Sequence, residues 1–299
     1  MADAFAIDVT DLRKTYEEVE ALRGLTLRVA PGSIFGFLGR NGAGKTTTIK
    51  ILLGMARPTA GAVRVFGLPA DDRQASVAIR RRVGFVSDDK DLPAGMTVGE
   101  AVRFTASFFP RWRSDLSDRY ARMFELAPDR RLKTLSRGTR TKVALLLALC
   151  RGADLLVLDE PTTGLDPAAT EEVLKLLVAH AAREGTTIFF SSHQIAEVEQ
   201  IADTIGIVDR GRTVVSGGVD DLREKFRRIE LVFDGAPPQA VFRSAGVRRV
   251  TRSGRVMTVL SSSGAESVVD EARSLGATSV DVMPVTLKDI FLEAVAVED

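Results

Sequence analysis

The chain has 299 residues, of which 45% are hydrophobic and 27% charged, a composition that fits a globular protein with two domains. Lys and Arg total 41 against 40 Asp and Glu, and the net charge of +1 supplies no overall field that would attract nucleic acid or an anionic membrane. The single cysteine, Cys150, excludes an intrachain disulfide and a Cys-rich metal site. Its apolar neighbours predict a core position, and its being alone fits a reducing cytosol.

The sequence predicts no segment that enters a membrane. Residues 1–16 are too acidic and too polar for a secretory signal. No apolar run approaches the ~20 residues that cross a bilayer. If the protein serves a membrane, we expect it to do so through a partner.

Alternating apolar and polar residues at 5–9 and 25–29 predict strands at the start of the chain. Tyr16, one of two tyrosines, lies between these segments. The local sequence favours a partly buried strand aromatic at this position over a functional one.

Residues 33–55 carry the most informative pattern in the chain. A short apolar strand at 34–38 leads into GRNGAGKT (39–46), which fits G-x-x-x-x-G-K-[ST], and a helix is predicted after it. In such a loop, backbone N–H groups and the helix N-terminus face phosphate oxygens. Lys45 would reach the β- and γ-phosphates, and Thr46 would ligate Mg²⁺. A glycine-rich turn is the alternative, but the flanking strand and helix favour a nucleotide-binding P-loop.

Strands are next predicted at 61–67 and 83–86, on either side of a helix at 72–82 whose final arginines, Arg80–Arg82, are interpreted as a solvated end. A polar loop covers 87–91. From residue 97 to 150 the pattern is mainly helical. Thr97 and Glu100 predict a capping box for a helix reaching about Phe109. A second helix is predicted from 114 or 115 up to Pro128, and a third over 139–150.

The apolar strand predicted at 155–158 closes on two carboxylates. A P-loop enzyme needs a carboxylate at the end of a neighbouring strand to hold Mg²⁺ and its waters, and Asp159 fits this position. Glu160 is placed to polarise the attacking water. Two acids that merely begin a loop are the alternative, which the P-loop makes weaker.

Helices at 168–183 and 194–201 and strands at 186–190, 204–208 and 213–215 complete an alternating pattern that predicts an α/β domain. His180, in the middle of a helix, is interpreted as structural. Residues 229–299 predict a small α+β domain with strands at 229–233, 256–260 and 278–283 and a helix ending near Val297. A solvated face and a site for a partner or lipid headgroup both remain open for its arginines: Arg243, Arg248, Arg249, Arg252 and Arg255.

The order of these motifs resembles the ATP-binding cassette (ABC) family, whose ATPase domains drive transporters. The resemblance rests on Tyr16, GRNGAGKTT (39–47), LSRGT (135–139), LLVLDEP (155–161), TGLD (163–166) and SSH (191–193). It implies a P-loop NTPase (RecA-like) core with an antiparallel β subdomain and an inserted helical subdomain. The expected division is 1–222 for the ATPase domain, with the helical subdomain at about 88–150, and 223–299 for an accessory domain.

The resemblance also implies roles for individual residues. Tyr16 would stack on adenine, Glu160 would act as general base, and His193 would contact the γ-phosphate. Two cassettes would pack head to tail around two ATP, with Ser136 and Gly138 facing the nucleotide of the opposite protomer and Asp166 communicating across the dimer. The nucleotide loop comprises Gly39, Arg40, Asn41, Gly42, Ala43, Gly44, Lys45, Thr46 and Thr47.

Three positions, in two motifs, depart from the family pattern. Arg137 and Thr139 replace the second glycine and the glutamine of LSGGQ, adding bulk and a cation near the phosphate of the partner. Asp88 stands where a glutamine that senses Mg²⁺ is expected; because Asp is shorter and anionic, its contact with the metal is expected through water. These departures affect the expected rate and coupling geometry, while the groups that bind and hydrolyse ATP remain.

The sequence therefore predicts the ATPase subunit of an ABC transporter, resembling subunits of ABC-2-type efflux systems. Its expected ligands are ATP and Mg²⁺, and its expected partners are a second ATPase subunit and a membrane permease. We expect it in the cytoplasm, peripheral on the inner face of the cell membrane, without nucleic acid. The alternative is a soluble ABC ATPase acting on ribosomes or nucleic acid; a metabolic P-loop kinase is a third possibility, which the signature loop disfavours.

Overall fold

The computed structural model describes residues 5–239 and 242–295. The chain divides into two compact units, Met1–Ser216 and Gly217–Asp299. The boundary expected from the sequence, after residue 222, falls inside a helix that spans Val219–Lys225. No helix of these two described ranges is long and apolar enough to span a bilayer.

The first unit is built from strands and helices that alternate along the chain. Its strands are β1 (Ile7–Tyr16), β2 (Val19–Val29), β3 (Ile34–Gly39), β4 (Ala60–Val65), β5 (Leu68–Pro69), β6 (Val83–Val86), β7 (Leu155–Asp159), β8 (Thr187–Ser192), β9 (Thr204–Asp209) and β10 (Arg212–Gly218), which reaches the boundary. Its helices are α1 (Lys45–Leu52), α2 (Arg73–Arg82), α3 (Val98–Phe108), α4 (Ser114–Met123), α5 (Arg137–Leu149), α6 (Pro167–Glu184) and α7 (Ile195–Ile201).

Two sheets organise this unit. The first has the order β2-β1-β4-β5 with antiparallel pairing, and the second has the order β10-β9-β3-β8-β7-β6. The pairs β9–β3, β3–β8, β8–β7 and β7–β6 are parallel. Every residue of β3, β7 and β8 is buried, as expected for parallel strands covered on both faces. The predicted α/β P-loop fold is confirmed.

Aromatic residues fill the centre of the core. Phe189 of β8 stacks on Phe35 at a ring separation of 5.5 Å and meets Phe37 at 5.3 Å. Phe35, Phe37 and Phe189 are at most 1% exposed, and the same cluster includes apolar residues of β1, β2 and α1. This packing fixes β3 against β8, and with them the carboxyl edge from which the P-loop and the residues after β8 emerge.

The helices α3, α4 and α5 occupy the stretch predicted to be helical. The capping box of α3 is confirmed: Thr97 accepts from the Glu100 amide, and the Glu100 carboxylate accepts from the Thr97 amide. The predicted start of α5 at residue 139 is wrong. Ser136 caps the helix by accepting a hydrogen bond from the Thr139 amide, so α5 begins at Arg137.

The structure also tests the interpretations of the arginines at the end of α2 and of His180. The solvated end predicted for α2 is confirmed for Arg81 and Arg82, which are exposed, although Arg82 also lies 3.8 Å above the Phe66 ring and pairs with Asp154. Arg80 differs, because it is half-buried and donates to the Leu53 carbonyl. His180 is buried, as expected of a structural residue.

The second unit is a smaller α+β domain. It contains α8 (Val219–Lys225), β11 (Arg227–Val232), β12 (Val247–Ser253), β13 (Val256–Ser261), α9 (Ala265–Ser274), β14 (Ser279–Pro284) and α10 (Leu287–Ala294). The antiparallel sheet has the order β12-β13-β11-β14. Three elements of this unit, α8, β12 and α9, were not predicted from the sequence. The expected helix end near Val297 lies outside the described residues. All five arginines of the predicted cluster are exposed, so both interpretations of that cluster remain open.

Candidate active site

The P-loop connects the carboxyl end of β3 to the N-terminus of α1. Gly44, the residue before α1, has φ 106°, and a side chain there would collide with Leu22 and the carbonyl of Ala21. Glycine is therefore required both by backbone conformation and by close packing. Lys45 is the first residue of the helix and is only 6% exposed, and its ammonium donates to the Gly39 carbonyl at 2.8 Å.

Asp159 lies at the end of β7, and its two carboxylate oxygens have different partners. Thr46 Oγ1 donates to Oδ2 at 2.9 Å, and Ser191 Oγ donates to Oδ1 at 2.5 Å. The register places Asp159 beside Ser191 because β7 and β8 are parallel neighbours. The strand order thus brings the P-loop threonine, the carboxylate and the serine to one edge of the sheet.

Glu160 directly follows Asp159, and its carboxylate contacts the side chains of Lys45 and His193. Its Oε1 lies 3.3 Å from Lys45 Nζ, and its Oε2 lies 2.8 Å from His193 Nδ1. The Glu160 side chain is 10% exposed, whereas that of His193 is 46% exposed and borders the open side. Glu160 has φ 49°, a left-handed backbone conformation that a non-glycine residue seldom adopts.

A second buried lysine reaches the same turn. Lys90 is 6% exposed, its ammonium donates to the Glu160 carbonyl at 2.6 Å, and it lies 3.7 Å from Asp88 Oδ1. Burial lowers the pKa of Lys90 from its ordinary value, while the carboxylates of Asp88, Asp159 and Glu160 oppose this shift. The sequence analysis noted the polar loop at 87–91 but did not assign Lys90 a function.

These residues surround an open cavity of about 350 Å³. Most of the residues predicted to bind nucleotide or metal line it together: Arg40, Asn41, Gly42, Gly44, Lys45, Thr46, Thr47, Asp88, Asp159, Glu160 and His193. Gly39 and Ala43 lie in the same loop, and Ala21 and Thr163 are lining residues that the sequence analysis did not identify. Ala21 belongs to no local motif that would mark it as a site residue. It reaches the cavity through the pairing of β2 with the rest of its sheet.

Four predicted residues lie neither in the lining of this cavity nor in the P-loop. Tyr16, at the end of β1, is 42% exposed, and the Lys14 ammonium lies 4.6 Å from its ring centre. Tyr16 is thus an aromatic at a strand end with more than half of its surface covered, as the local sequence predicts, and its stacking on adenine stays a prediction. Ser136 and Gly138 are at the N-terminus of α5, and Asp166 caps α6 by accepting from the Ala169 amide at 2.9 Å.

Comparison with known proteins agrees with this geometry. Residues 22–163 match the family described as ABC transporter. The bacitracin transport ATP-binding protein BcrA of Bacillus licheniformis is 34% identical over 74% of this chain and 72% of its own length. The Nod factor export ATP-binding protein I of Rhizobium etli is 32% identical over 96% of this chain and 92% of its own length.

A solved structure gives the same result for the fold. The dimeric structure of a bacterial ABC transporter cassette superposes with a TM-score of 0.65 at 25% identity, over 71% of this chain and 98% of that one. The Rhizobium etli relative matches a larger share of this chain, 96% against 71% for the solved cassette. The chain belongs to the ABC transporter family, as an ATP-binding subunit with ATPase activity.

Proposed function

We propose that ATP hydrolysis takes place in the P-loop cavity with Glu160 as general base. The observation that carries this proposal is the position of the Glu160 carboxylate, between Lys45 Nζ at 3.3 Å and His193 Nδ1 at 2.8 Å and directly after Asp159. A base must lie within reach of the reacting water and be held in one orientation. Glu160 is held from both sides at the wall of the cavity.

The loop from Gly39 to Thr47 would hold the phosphates. Its backbone amides and the N-terminus of α1 favour negative charge, and Lys45 brings a full positive charge into the same place. In the structure Lys45 pairs with Glu160. A phosphate must replace Glu160 as the partner of Lys45 before the carboxylate can accept a proton from water. Tyr16 would contact the adenine from the exposed end of β1.

Mg²⁺ fits the oxygen atoms present. Thr46 Oγ1 and Asp159 Oδ2 lie 2.9 Å apart at the cavity wall, and hydroxyl and carboxylate oxygens are the ligands that this ion prefers. Ser191 fixes the other oxygen of Asp159 and so orients the carboxylate. When bound, Mg²⁺ would neutralise charge that develops on the phosphates. Asp88 would contribute through water, since its carboxylate is paired with Lys90.

Hydrolysis then uses groups that the fold already orients. Glu160 would accept the proton of the attacking water while His193 keeps the carboxylate in place through Nδ1. The other ring nitrogen of His193 would face the γ-phosphate, to which it can donate a hydrogen bond only when it carries a proton as well. Lys45 would offset the negative charge of the transferred group.

The site would be completed by a second copy of the chain. Ser136 and Gly138 lie outside the cavity of their own chain although a helix N-terminus suits an anion. In a head-to-tail dimer they would face the γ-phosphate on the opposite P-loop, with Asp166 near the interface. The dimeric cassette among the similar structures supports this arrangement.

The dimer would drive a separate membrane permease, in the direction of export. Support comes from relatives named for bacitracin transport and Nod factor export. The subunit would then be held at the inner face of the cell membrane by the permease. The same names favour this function over the alternative of an ATPase acting on ribosomes or nucleic acid.

Glu160→Gln tests the assigned base. This variant should bind ATP with unchanged affinity but lose at least about a hundredfold in turnover, because the amide cannot accept the proton. Glu171→Gln is the matched control: Glu171 is exposed, pairs with Lys175 on α6, and its variant should keep wild-type turnover. Lys45→Ala should instead weaken nucleotide binding, measured by titration calorimetry. Normal turnover of Glu160→Gln would refute the assignment.

A further inference from the structure

Lys90 is a buried cation that the ABC motifs found in this chain do not include. It lies in the loop between β6 and α3, and its side chain is 6% exposed. Removing an ammonium from water costs several kcal/mol unless it is paired and hydrogen-bonded. The partners that offset this cost are the Glu160 carbonyl at 2.6 Å and the Asp88 carboxylate at 3.7 Å.

The carbonyl that Lys90 contacts belongs to a constrained peptide. Glu160 has φ 49°, a conformation that costs of order 1 kcal/mol or more for a non-glycine residue and persists only when the surroundings impose it. Its N–H donates to Ser191 Oγ at 3.1 Å. Its carbonyl accepts from the Thr163 amide at 3.2 Å as well as from Lys90. Ser191 and Lys90 therefore hold this residue from opposite ends of its backbone.

The orientation of the Glu160 side chain depends on this backbone. With the backbone in this left-handed conformation, the carboxylate lies 3.3 Å from Lys45 Nζ and 2.8 Å from His193 Nδ1. A misplacement of about 1 Å in a reacting group can cost about a hundredfold in rate. A residue that fixes this backbone therefore acts on hydrolysis without touching the nucleotide.

We propose that Lys90 is a positioning residue for ATP hydrolysis, whose ammonium holds the Glu160 backbone and thereby aims the carboxylate of the general base. This inference rests on the assignment of Glu160 as base. Asp88, in the same loop, keeps the ammonium in place through its carboxylate.

Lys90→Met tests the proposal because it keeps an unbranched apolar side chain and removes the ammonium with its charge and its donors. We expect kcat to fall about tenfold or more while KM for ATP and the Kd for ADP stay within about threefold. Hydrogen exchange, measured by mass spectrometry without nucleotide, should become faster in the segment 160–165. Lys90→Arg, which keeps a cationic donor, should restore much of kcat and of the protection.

Lys175→Met is the control for loss of a lysine charge, because Lys175 is 69% exposed on α6 and pairs with Glu171. It should match the wild type in both measurements. The proposal is overturned if Lys90→Met keeps the kcat of this control, or if exchange in 160–165 is unchanged. A general loss of protection across the first unit, with kcat and KM affected together, would show a merely structural lysine and would also overturn it.

Lys90→Gln, which keeps a neutral N–H donor, is measured in the same way if Lys90→Met does not unfold cooperatively. Failure of both variants to fold would likewise assign Lys90 to stability alone and overturn the proposal. The Glu160→Gln variant separates the two hypotheses. Normal turnover of Glu160→Gln removes the base assignment, whereas an inactive Glu160→Gln beside a fully active Lys90→Met removes only the function of Lys90.

Discussion

The carboxylate of Glu160 meets a lysine from the P-loop and a histidine from the end of β8. Lys45 and His193 are 148 positions apart in the chain, and their distances to the same carboxylate are 3.3 and 2.8 Å. Such a convergence makes the orientation of one side chain depend on two others. These two contacts orient the carboxylate that we propose as the general base.

Ser191 should set how tightly the site holds Mg²⁺. Its hydroxyl donates to Asp159 and accepts from the Glu160 amide, so Ser191→Ala leaves two buried polar groups without this partner. We expect the Mg²⁺ concentration for half-maximal ATPase activity to rise by about tenfold or more. Titration of activity against Mg²⁺ at saturating ATP measures this change.

Ser192→Ala is the matched control for that measurement. Ser192 is equally buried in the same strand, but its hydroxyl donates to Glu197 instead of to Asp159. Its Mg²⁺ dependence should equal that of the wild type. An identical response of the two serine variants would contradict the function assigned to Ser191.

At the scale of the elements, α4 and α6 are joined through a buried polar contact. Tyr120 on α4 places its hydroxyl 3.1 Å from His180 Nδ1 on α6. Burial lowers the pKa of His180 to about 4, because the charged ring would lose its water. The unfolded chain returns this pKa to about 6.5.

The stability of the protein should therefore fall as the pH is lowered from 7 towards 4. Below pH 6.5 His180 binds a proton in the unfolded chain but stays neutral in the folded chain. At pH 5 this lowers the free energy of unfolding by about 2 kcal/mol. Denaturant unfolding of the wild type and of His180→Asn at pH 7, 6 and 5 isolates the contribution. The variant should lose less stability on acidification; parallel curves would contradict the assigned pKa.

Elements were predicted correctly where the hydrophobic periodicity and the local chemistry of the sequence agree. The capping box of α3, the buried β7 and the P-loop with α1 follow from short-range patterns. The start of α5 was misplaced because the cap at Ser136 depends on one hydrogen bond to Thr139. The strand β12 was missed because its exposed arginines were interpreted as a charged cluster.

Within the site, the sequence predicted residues that belong to a motif and missed those brought in by the fold. Lys45, Asp159 and Glu160 are each marked by their neighbours in the chain. Lys90 reaches Glu160 from 70 positions away, and its loop shows no pattern that distinguishes a buried lysine from a solvated one. Only the parallel packing of β6 beside β7 places the two residues together.

For the whole molecule, the near balance of charges bears on partners. With a net charge of +1 the chain lacks the excess of cations that would hold nucleic acid against salt. We expect the purified protein to carry no RNA or DNA after a wash at moderate salt, and to be retained by membranes that contain its permease. The ratio of absorbance at 260 and 280 nm and a membrane flotation assay measure these properties. Nucleic acid that survives the wash would favour the alternative function.

The central claim for the whole molecule is that one ATP site requires two chains. Ser136→Asp is suited to test it, because Asp is also a good N-cap and preserves α5 while placing a negative charge where the phosphate of the partner would lie. Ser136→Asn, which caps the helix without charge, is the matched control. Both substitutions are introduced into Glu160→Gln so that bound ATP is not consumed.

Sedimentation in the presence of ATP and Mg²⁺ gives the most direct measurement. The Glu160→Gln protein and its Ser136→Asn version should sediment at twice the monomer mass of 32.3 kDa, and at the monomer mass without nucleotide. The Ser136→Asp version should stay monomeric while still binding ATP through Gly39–Thr47. A Glu160→Gln protein that remains monomeric with ATP, or a dimer that forms equally well with Ser136→Asp, would contradict the shared site.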